Sequence, residues 1–327
     1  MRRQRWVVDV DAHGRLALPP EAAARLGLAP GARVELEAEG DHLALRRAVH
    51  QLGRLYVEPT NCCNLDCSTC MRNVWSEPPG VMSRAVFQRV LAGLAAFTPR
   101  PLVFFGGYGE PLSHPQIVGM VAACKAAGCA VELITNGTLL DEVAARGLLE
   151  AGLDGLWVSI DGATPASYAD VRLGDCLPQV LANLERFSAL RSELGRADCR
   201  LGIAFVAMRR NLRDLPDVIR LGMERGATRF SISNVLAHTP ELRNEVLYGQ
   251  ALYDTRLQFP NPRVEVDLPR LDLDEDTRRM LAGLGEQGIA PGAAGGALAA
   301  NRCPFTAKNS AAVRWDGQLS PCLALLH

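Results

Sequence analysis

Between residues 54 and 233 six short apolar runs alternate with five stretches of helical spacing. The runs lie at 55–58, 102–105, 130–135, 156–160, 201–207 and 229–233. Helices are expected over 83–97, 115–127, 141–151, 177–190 and 212–225, with Ser83 placed to cap the first. Apolar strands separated by helices specify a parallel sheet covered by those helices. The expected fold class is α/β, an incomplete (β/α)6 TIM-like barrel. In such barrels the chemistry sits on the loops that follow the C-terminal strand ends. The polar residues after each run are therefore the candidates.

The loop after the first run, Thr60-Asn61-Cys62-Cys63-Asn64-Leu65-Asp66-Cys67-Ser68-Thr69-Cys70, contains C-x3-C-x2-C starting at Cys63. Three thiols on one short loop can converge on one metal centre. A cubane iron–sulfur cluster takes one outer ligand per iron, usually a cysteine thiolate, so three cysteines leave one iron open. An open coordination position is where a metal centre keeps a place for substrate. The alternatives are a zinc knuckle or buried structural thiols. Zinc asks for four ligands, and the nearest spare thiol, Cys62, adjoins Cys63, too close in sequence for both to reach one ion comfortably.

Composition narrows the classes further. The chain has 327 residues, is 48% hydrophobic and carries a formal net charge of −1, which gives no overall attraction to nucleic acid or an anionic membrane. No run approaches the ~18 apolar residues of a membrane span. Met1-Arg2-Arg3-Gln4-Arg5 is basic but lacks the apolar stretch of a secretion signal. A tight cysteine cluster in such a chain reads as metal binding in a reducing cytoplasm rather than as a disulfide framework. Cys124, Cys129, Cys176 and Cys199 lie in apolar or helical surroundings and read as small buried hydrophobes.

The other strand ends carry Gly106-Gly107-Tyr108-Gly109-Glu110-Pro111, Thr135-Asn136-Gly137, Ser159-Ile160-Asp161-Gly162 with Arg172 beyond, and Val206-Ala207-Met208 with Asn211. Each alone is ordinary turn material. In this order behind the cysteine triplet, over about residues 53–234, they resemble the radical S-adenosylmethionine (radical SAM) enzymes. The resemblance implies that Cys63, Cys67 and Cys70 hold a [4Fe–4S] cluster, with SAM chelating the open iron, and it leaves Cys62 a bystander. It implies SAM contacts from Gly107, Gly109 and Glu110 at the methionine amino group. Asn136, Ser159, Asp161, Arg172 and Met208 are the further SAM contacts, Ser159 and Arg172 at ribose or carboxylate and Met208 at adenine. A low-potential electron donor would drive cleavage of SAM to a 5′-deoxyadenosyl radical, which takes hydrogen from a substrate. Tyr108 and Tyr168 are expected to pack, and no acid or base catalyst stands out.

Three flanking segments complete the organisation: residues 1–50 before the core at 51–235, then 236–300 and 301–327 after it. The N-terminal unit reads strand, turn, strand, helix from Pro19, then a hairpin over 33–47. Its order and its Gly14-Arg15-x-x-x-Pro19 and Leu26-Gly27-Leu28-x-Pro30-Gly31 segments resemble the AbrB/SpoVT-type swapped-hairpin domain, which implies a homodimer. DNA binding is not expected: Arg2, Arg3, Arg5, Arg15, Arg46 and Arg47 are offset by Glu35, Glu37, Glu39 and Asp41. After the core, helices are expected over 240–257 and 274–284 and a loop over 285–300. A hairpin through Asp316-Gly317 and ending at Cys322 follows Cys303. Cys303 and Cys322 resemble the opening of a SPASM domain, implying an auxiliary iron–sulfur cluster. The chain departs from that family by stopping at His327 with two of the four or so thiolates such a cluster needs, so a truncated chain is expected, the alternatives being an auxiliary domain that has lost its clusters or two ordinary buried thiols.

The AbrB-like start, Glu58-Pro59-Thr60 and Met71-Arg72-Asn73-x-Trp75 resemble radical SAM maturases associated with tungsten-cofactor oxidoreductases. The implied partner is an enzyme of the aldehyde ferredoxin oxidoreductase type, and the implied substrate is a protein, peptide or cofactor. The alternatives are a maturase of ribosomally made peptides and, in a different class, a DNA-binding regulator using the cluster as a redox sensor.

Overall fold

In the computed structural model the residues described are 8–25, 34–39, 42–47, 52–172, 174–249, 257–258, 264–269, 271–291, 305 and 309–323. Among its described residues the N-terminal unit has an antiparallel bridge between Val10 and Leu16, helix α1 (Pro20–Arg25), and strands β1 (Val34–Glu39) and β2 (His42–Arg47) paired antiparallel. The bridge falls in the first expected strand pair, of which Trp6 and Val7 lie outside the described residues. Asp11 closes its turn by accepting from the backbone N–H of His13 and Arg15, both at 2.8 Å. Arg2, Arg3 and Arg5 lie outside the described residues.

The core is the expected one. Strands β3 (Arg54–Val57), β4 (Leu102–Phe105), β5 (Val131–Thr135), β6 (Gly155–Ser159), β7 (Arg200–Ala207) and β8 (Arg229–Asn234) pair parallel in chain order. Between them run α2 (Arg84–Leu94), α3 (Ile117–Ala126), α4 (Glu142–Glu150), α5 (Pro165–Arg172), α6 (Leu177–Glu193) and α7 (Leu215–Glu224). Ser83 and Asp141 cap α2 and α4 by accepting from Val86 and Ala144 N–H groups, which satisfies donors the first helical turn leaves open. Side chains such as Val57, Val103, Phe105, Leu133, Leu156 and Ile203 are buried between sheet and helices. Cys124 and Cys199 are buried there as well, and burial pushes both thiols up to about 12. They are core hydrophobes in this setting.

The sheet is wider than six strands. After α8 (Pro240–Arg243), the short strand β9 (Leu257–Gln258) pairs antiparallel with β11 (Ala290–Pro291), and β10 (Glu265–Asp267) adds parallel to β8. Helix α9 (Glu275–Glu286) lies between β10 and β11 in sequence. At the other edge β12 (Ser310–Val313) pairs parallel with β3, and β13 (Leu319–Ser320) returns antiparallel. The hairpin expected through Asp316-Gly317 therefore forms, as an extension of the core sheet. The helix expected over 240–257 ends at Arg243. The chain leaves it to bury Leu247 completely and to give Glu245 to the Arg210 guanidinium and backbone N–H.

The end of the barrel opposite the loops is closed by charge. Glu132, 2% exposed, accepts from Arg229 at 2.8 Å and from the Trp157 indole at 3.0 Å, with Arg200 and Arg54 at 3.6 and 3.8 Å. Burial pushes its carboxyl up, but Arg229, Trp157 and Arg54 together outweigh burial and hold it below the ordinary value. Glu132→Gln leaves a cluster of guanidinium groups uncompensated and is expected to cost about 3 kcal/mol at pH 7. A folded-state pKa held low means that the stabilisation is present above the unfolded carboxylate value. It is lost as pH falls through the folded one. The gap between wild type and variant in urea unfolding should therefore shrink on acidification; a gap as wide in acid as at neutral pH contradicts this account.

Candidate cluster and cofactor site

All the candidate motifs except the auxiliary pair follow the C-terminal ends of core strands. The cysteine loop leaves β3 through Glu58, which is buried and accepts from Tyr108 N–H at 3.0 Å. Cys63, Cys67 and Cys70 then lie on one loop, in which the turn from Cys67 to Cys70 is held by Cys70 N–H to the Cys67 carbonyl (3.0 Å) and Asn73 Nδ2 to the same carbonyl (2.9 Å). Arg72 reaches back to the Leu65 carbonyl at 3.1 Å. Cys62 directs its thiol at the Gly80 carbonyl instead (3.9 Å).

Donors surround the sulfurs. Leu65 N–H lies 3.5 Å and Asn136 Nδ2 3.8 Å from Cys63 Sγ, and Arg172 Nη1 lies 3.6 Å from Cys67 Sγ. Burial pushes the Cys63 and Cys70 thiols up; a bound metal would reverse that, since coordinated thiols deprotonate outright. N–H groups and a buried guanidinium facing the sulfurs suit thiolates that carry cluster charge. Among the described residues no three His, Cys, Asp or Glu side chains close on a point as a mononuclear ion requires. Three thiols on one loop with N–H donors and a guanidinium facing their sulfurs are the donor set an iron–sulfur cluster takes, one cysteine per iron.

The Gly-rich segment after β4 serves the loop directly. A Cβ on Gly109 would lie 2.1 Å from the Thr60 carbonyl oxygen and 2.7 Å from that of Cys62. This glycine lets two backbones meet, and Glu110 N–H donates to the Cys62 carbonyl at 2.8 Å. Gly107 packs against the Glu58 side chain. Glu110 is 2% exposed and accepts from Thr135 Oγ1 (2.7 Å), Asn136 N–H (2.7 Å) and Leu112 N–H (3.0 Å). Burial pushes its carboxyl up despite these bonds. Two carboxylate oxygens offer about four acceptor positions, so room for one further donor remains.

Asn136 joins β5 to the cysteine loop. Its Nδ2 donates to Asn64 Oδ1 at 2.9 Å, and Asn64 in turn donates to Thr138 Oγ1 at 2.7 Å. Asp161 is fully buried, accepts from Val206 N–H at 2.7 Å and pairs with Arg172 at 2.6 Å. Burial pushes the Arg172 guanidinium down, but Asp161 and the Cys67 sulfur outweigh it and hold its pKa above the ordinary value. Ser159 ends β6, half-buried. Met208 is fully buried beside Val171, Val235 and Leu242. Asn211 binds the Asp161 and Val206 carbonyls, both at 3.0 Å.

Several contributors were not singled out from sequence. Asn64 sits inside the motif but carries no mark of its own, and Asn73 was quoted only for the maturase resemblance, not as a support of the cysteine turn. Helix α5, which delivers Arg172, was not expected, although Thr164 and Ser167 exchange hydrogen bonds at its start and Pro165 opens it. Tyr168 on the same helix is fully buried with no hydroxyl partner among the described residues, and burial pushes it up to about 12. Cys322 is half-buried near Tyr108, while Cys303 lies outside the described residues. An apolar cavity of about 600 Å³ lies between α2, β3 and β12, and no cysteine among the described residues lines it. Among the described residues no helix is long and apolar enough to cross a membrane.

Residues 57–232 match the sequence model of the radical SAM superfamily. The chain is 29% identical over 279 residues to the tungsten-containing aldehyde ferredoxin oxidoreductase cofactor-modifying protein of Pyrococcus furiosus, covering 84% of this chain and 71% of that protein. It is 28% identical over 237 residues to the PqqA peptide cyclase of Gluconobacter oxydans, covering 72% of this chain and 59% of that one. The crystal structure of Streptococcus suis SuiB bound to precursor peptide SuiA superposes with a TM-score of 0.58 at 15% identity. That match spans 84% of this chain and 60% of SuiB. The chain thus spans about three fifths of the last two.

Proposed function

The chain belongs to the radical SAM superfamily, and on that premise we propose that it is an enzyme of tungsten-cofactor maturation. It would act on the cofactor or protein of an aldehyde ferredoxin oxidoreductase-type partner. The observation that carries this reading is the likeness to the Pyrococcus furiosus cofactor-modifying protein, which extends over 84% of the chain. Cys63, Cys67 and Cys70 would hold a [4Fe–4S] cluster, with Glu110, Asn136, Ser159, Asp161, Arg172 and Met208 around the SAM site beside it. When bound, cluster and SAM supply one-electron cleavage of SAM to methionine and a 5′-deoxyadenosyl radical able to take hydrogen from a substrate.

The chain's own residues supply placement. Glu110 presents a carboxylate acceptor at the barrel mouth, suited to an ammonium donor. Arg172, anchored by Asp161, sets a positive charge next to Cys67. Glu58 and Gly109 fix the height of the cysteine loop over the strand ends. A low-potential donor completes the reaction, and the setting is a reducing cytoplasm. The N-terminal unit would pair two copies. An auxiliary cluster would depend on Cys303 and Cys322, two thiolates where about four are needed, and no role is built on it.

Modification of a ribosomal peptide is the second reading, favoured by the likeness to the PqqA peptide cyclase over 72% of the chain. Co-expression with a tungsten aldehyde oxidoreductase separates the two. The first reading predicts that the partner's cofactor changes mass only when this protein has its three cysteines. An unchanged cofactor, with a modified peptide found instead, overturns it.

A further inference from the structure

We propose that the C-terminal hairpin is a clasp that holds the cysteine loop in its binding conformation, with Arg314 and Trp315 as positioning residues. The proposal rests on the reading of that loop as the cluster site. The hairpin reaches the loop along β3. Glu58 N–H, one residue past the strand, donates to the Val313 carbonyl at 2.9 Å. Beyond that point two side chains of the hairpin turn grip the returning limb of the loop. Arg314 Nη1 lies 2.9 and 2.7 Å from the two Glu77 carboxylate oxygens, and Asp316 holds the other side of the guanidinium. The Trp315 ring lies so close over Gly80 that a Cβ there would come within 2.3 Å of it.

The returning limb is bonded to the outgoing one. Thr60 and Val81 form an antiparallel bridge, and Met82 N–H donates to the Pro59 carbonyl at 2.7 Å. Gly80 N–H donates to Asn61 Oδ1 at 2.6 Å, and the Gly80 carbonyl accepts from Thr60 Oγ1 at 2.7 Å. Thr60 Oγ1 accepts from Cys62 N–H at 3.0 Å, one residue before the first cysteine of the triplet. A continuous set of contacts therefore runs from Trp315 through Gly80 and Thr60 to Cys63. A second grip lies past the hairpin. Tyr108 Oη is 3.2 Å from the Leu323 carbonyl and 3.2 Å from Met71 Sδ, immediately after Cys70, with Trp75 edge-on to its ring. The segment 314–323 thus reaches the loop directly at Glu77 and Gly80 and, through Tyr108, at Met71, all just past Cys70. Ligand placement by an outer layer is worth about 10- to 100-fold in metal affinity.

The test uses the full chain with Trp315→Ala, Arg314→Met and Gly80→Ala, and with Trp315→Phe as the conservative control. In protein without iron, amide exchange at residues 59–82 is expected to rise in the three disruptive variants. Exchange in β5, β6 and β7 should not change, and Trp315→Phe should match wild type. After reconstitution, a chelator should strip iron about tenfold faster from the disruptive variants. Wild-type exchange and wild-type iron release in all of them overturns the clasp. A rise spread over the whole sheet overturns it too, since that marks a general structural role. A wild-type chain that takes up no iron overturns the cluster reading and with it the proposal's functional part, while the exchange data still judge the clasp itself.

Discussion

Exchange of Cys67 for alanine is expected to leave the barrel folded and remove the cluster. Iron should fall from about four per reconstituted chain to near zero, because two thiolates on this loop cannot hold a cubane with an open iron. The fold should survive, since Cys67 sits on a loop and the core sheet is built from other side chains. Loss of Cys67 also leaves Arg172 with Asp161 alone. Iron analysis, visible absorbance and circular dichroism on the same sample check the expectation. A Cys67→Ala chain that keeps full iron would remove Cys67 from the ligand set. Cys62→Ala should keep its iron, because its thiol is directed at Gly80.

Replacing Glu110 with alanine is the second large effect, and it should act on stability as well as on SAM. The carboxylate gathers Thr135 Oγ1 and the N–H groups of Asn136 and Leu112 at the mouth of the barrel. Each buried donor left without a partner costs about 1–3 kcal/mol. Three together should lower the unfolding free energy by about 4 kcal/mol. SAM binding to the reconstituted protein should fall as well, because the acceptor for its ammonium group is gone. Urea unfolding and equilibrium dialysis read the two separately. Unchanged stability with weakened SAM binding would mean that the carboxylate does not tie β4 to β5. The reverse pattern would take Glu110 out of the cofactor site.

Much of this architecture was legible in the sequence, for a physical reason. A strand buried on both faces is mostly apolar, and the core runs are, apart from positions such as Glu58, Glu132 and Ser159 and the alternating polar positions of β8. Their boundaries came within a residue or two because glycine and capping side chains mark the ends. Which elements join the edges of the sheet was not legible, although the hairpin through Asp316-Gly317 was. β10 and β12 are three and four residues long, and nothing local says that Ser310–Val313 will pair with a strand some 250 residues earlier. The overextended helix after Pro240 fails for the same reason: burial of Leu247 and the Arg210–Glu245 pair decide where it stops, and both are tertiary.

The site shows the same division. C-x3-C-x2-C shows a candidate metal site through residue type and spacing, and the resemblance of the strand-end motifs is what names the cluster. The roles of its neighbours depend on who stands opposite. Gly109 reads as room for a ligand, yet its near neighbours are the Thr60 and Cys62 carbonyls. Asn136 reads as a turn residue and turns out to hold Asn64 and face Cys63. Arg172 was visible as a charge downstream of β6, while the helix that brings it to Cys67 was not.

The most direct test of the account is production of 5′-deoxyadenosine by the anaerobically reconstituted chain given SAM and dithionite. The account predicts 5′-deoxyadenosine and methionine in equal amounts, dependent on reductant and absent in Cys63→Ala, Cys67→Ala and Cys70→Ala. No 5′-deoxyadenosine from protein whose iron content and visible absorbance prove the cluster present would contradict it.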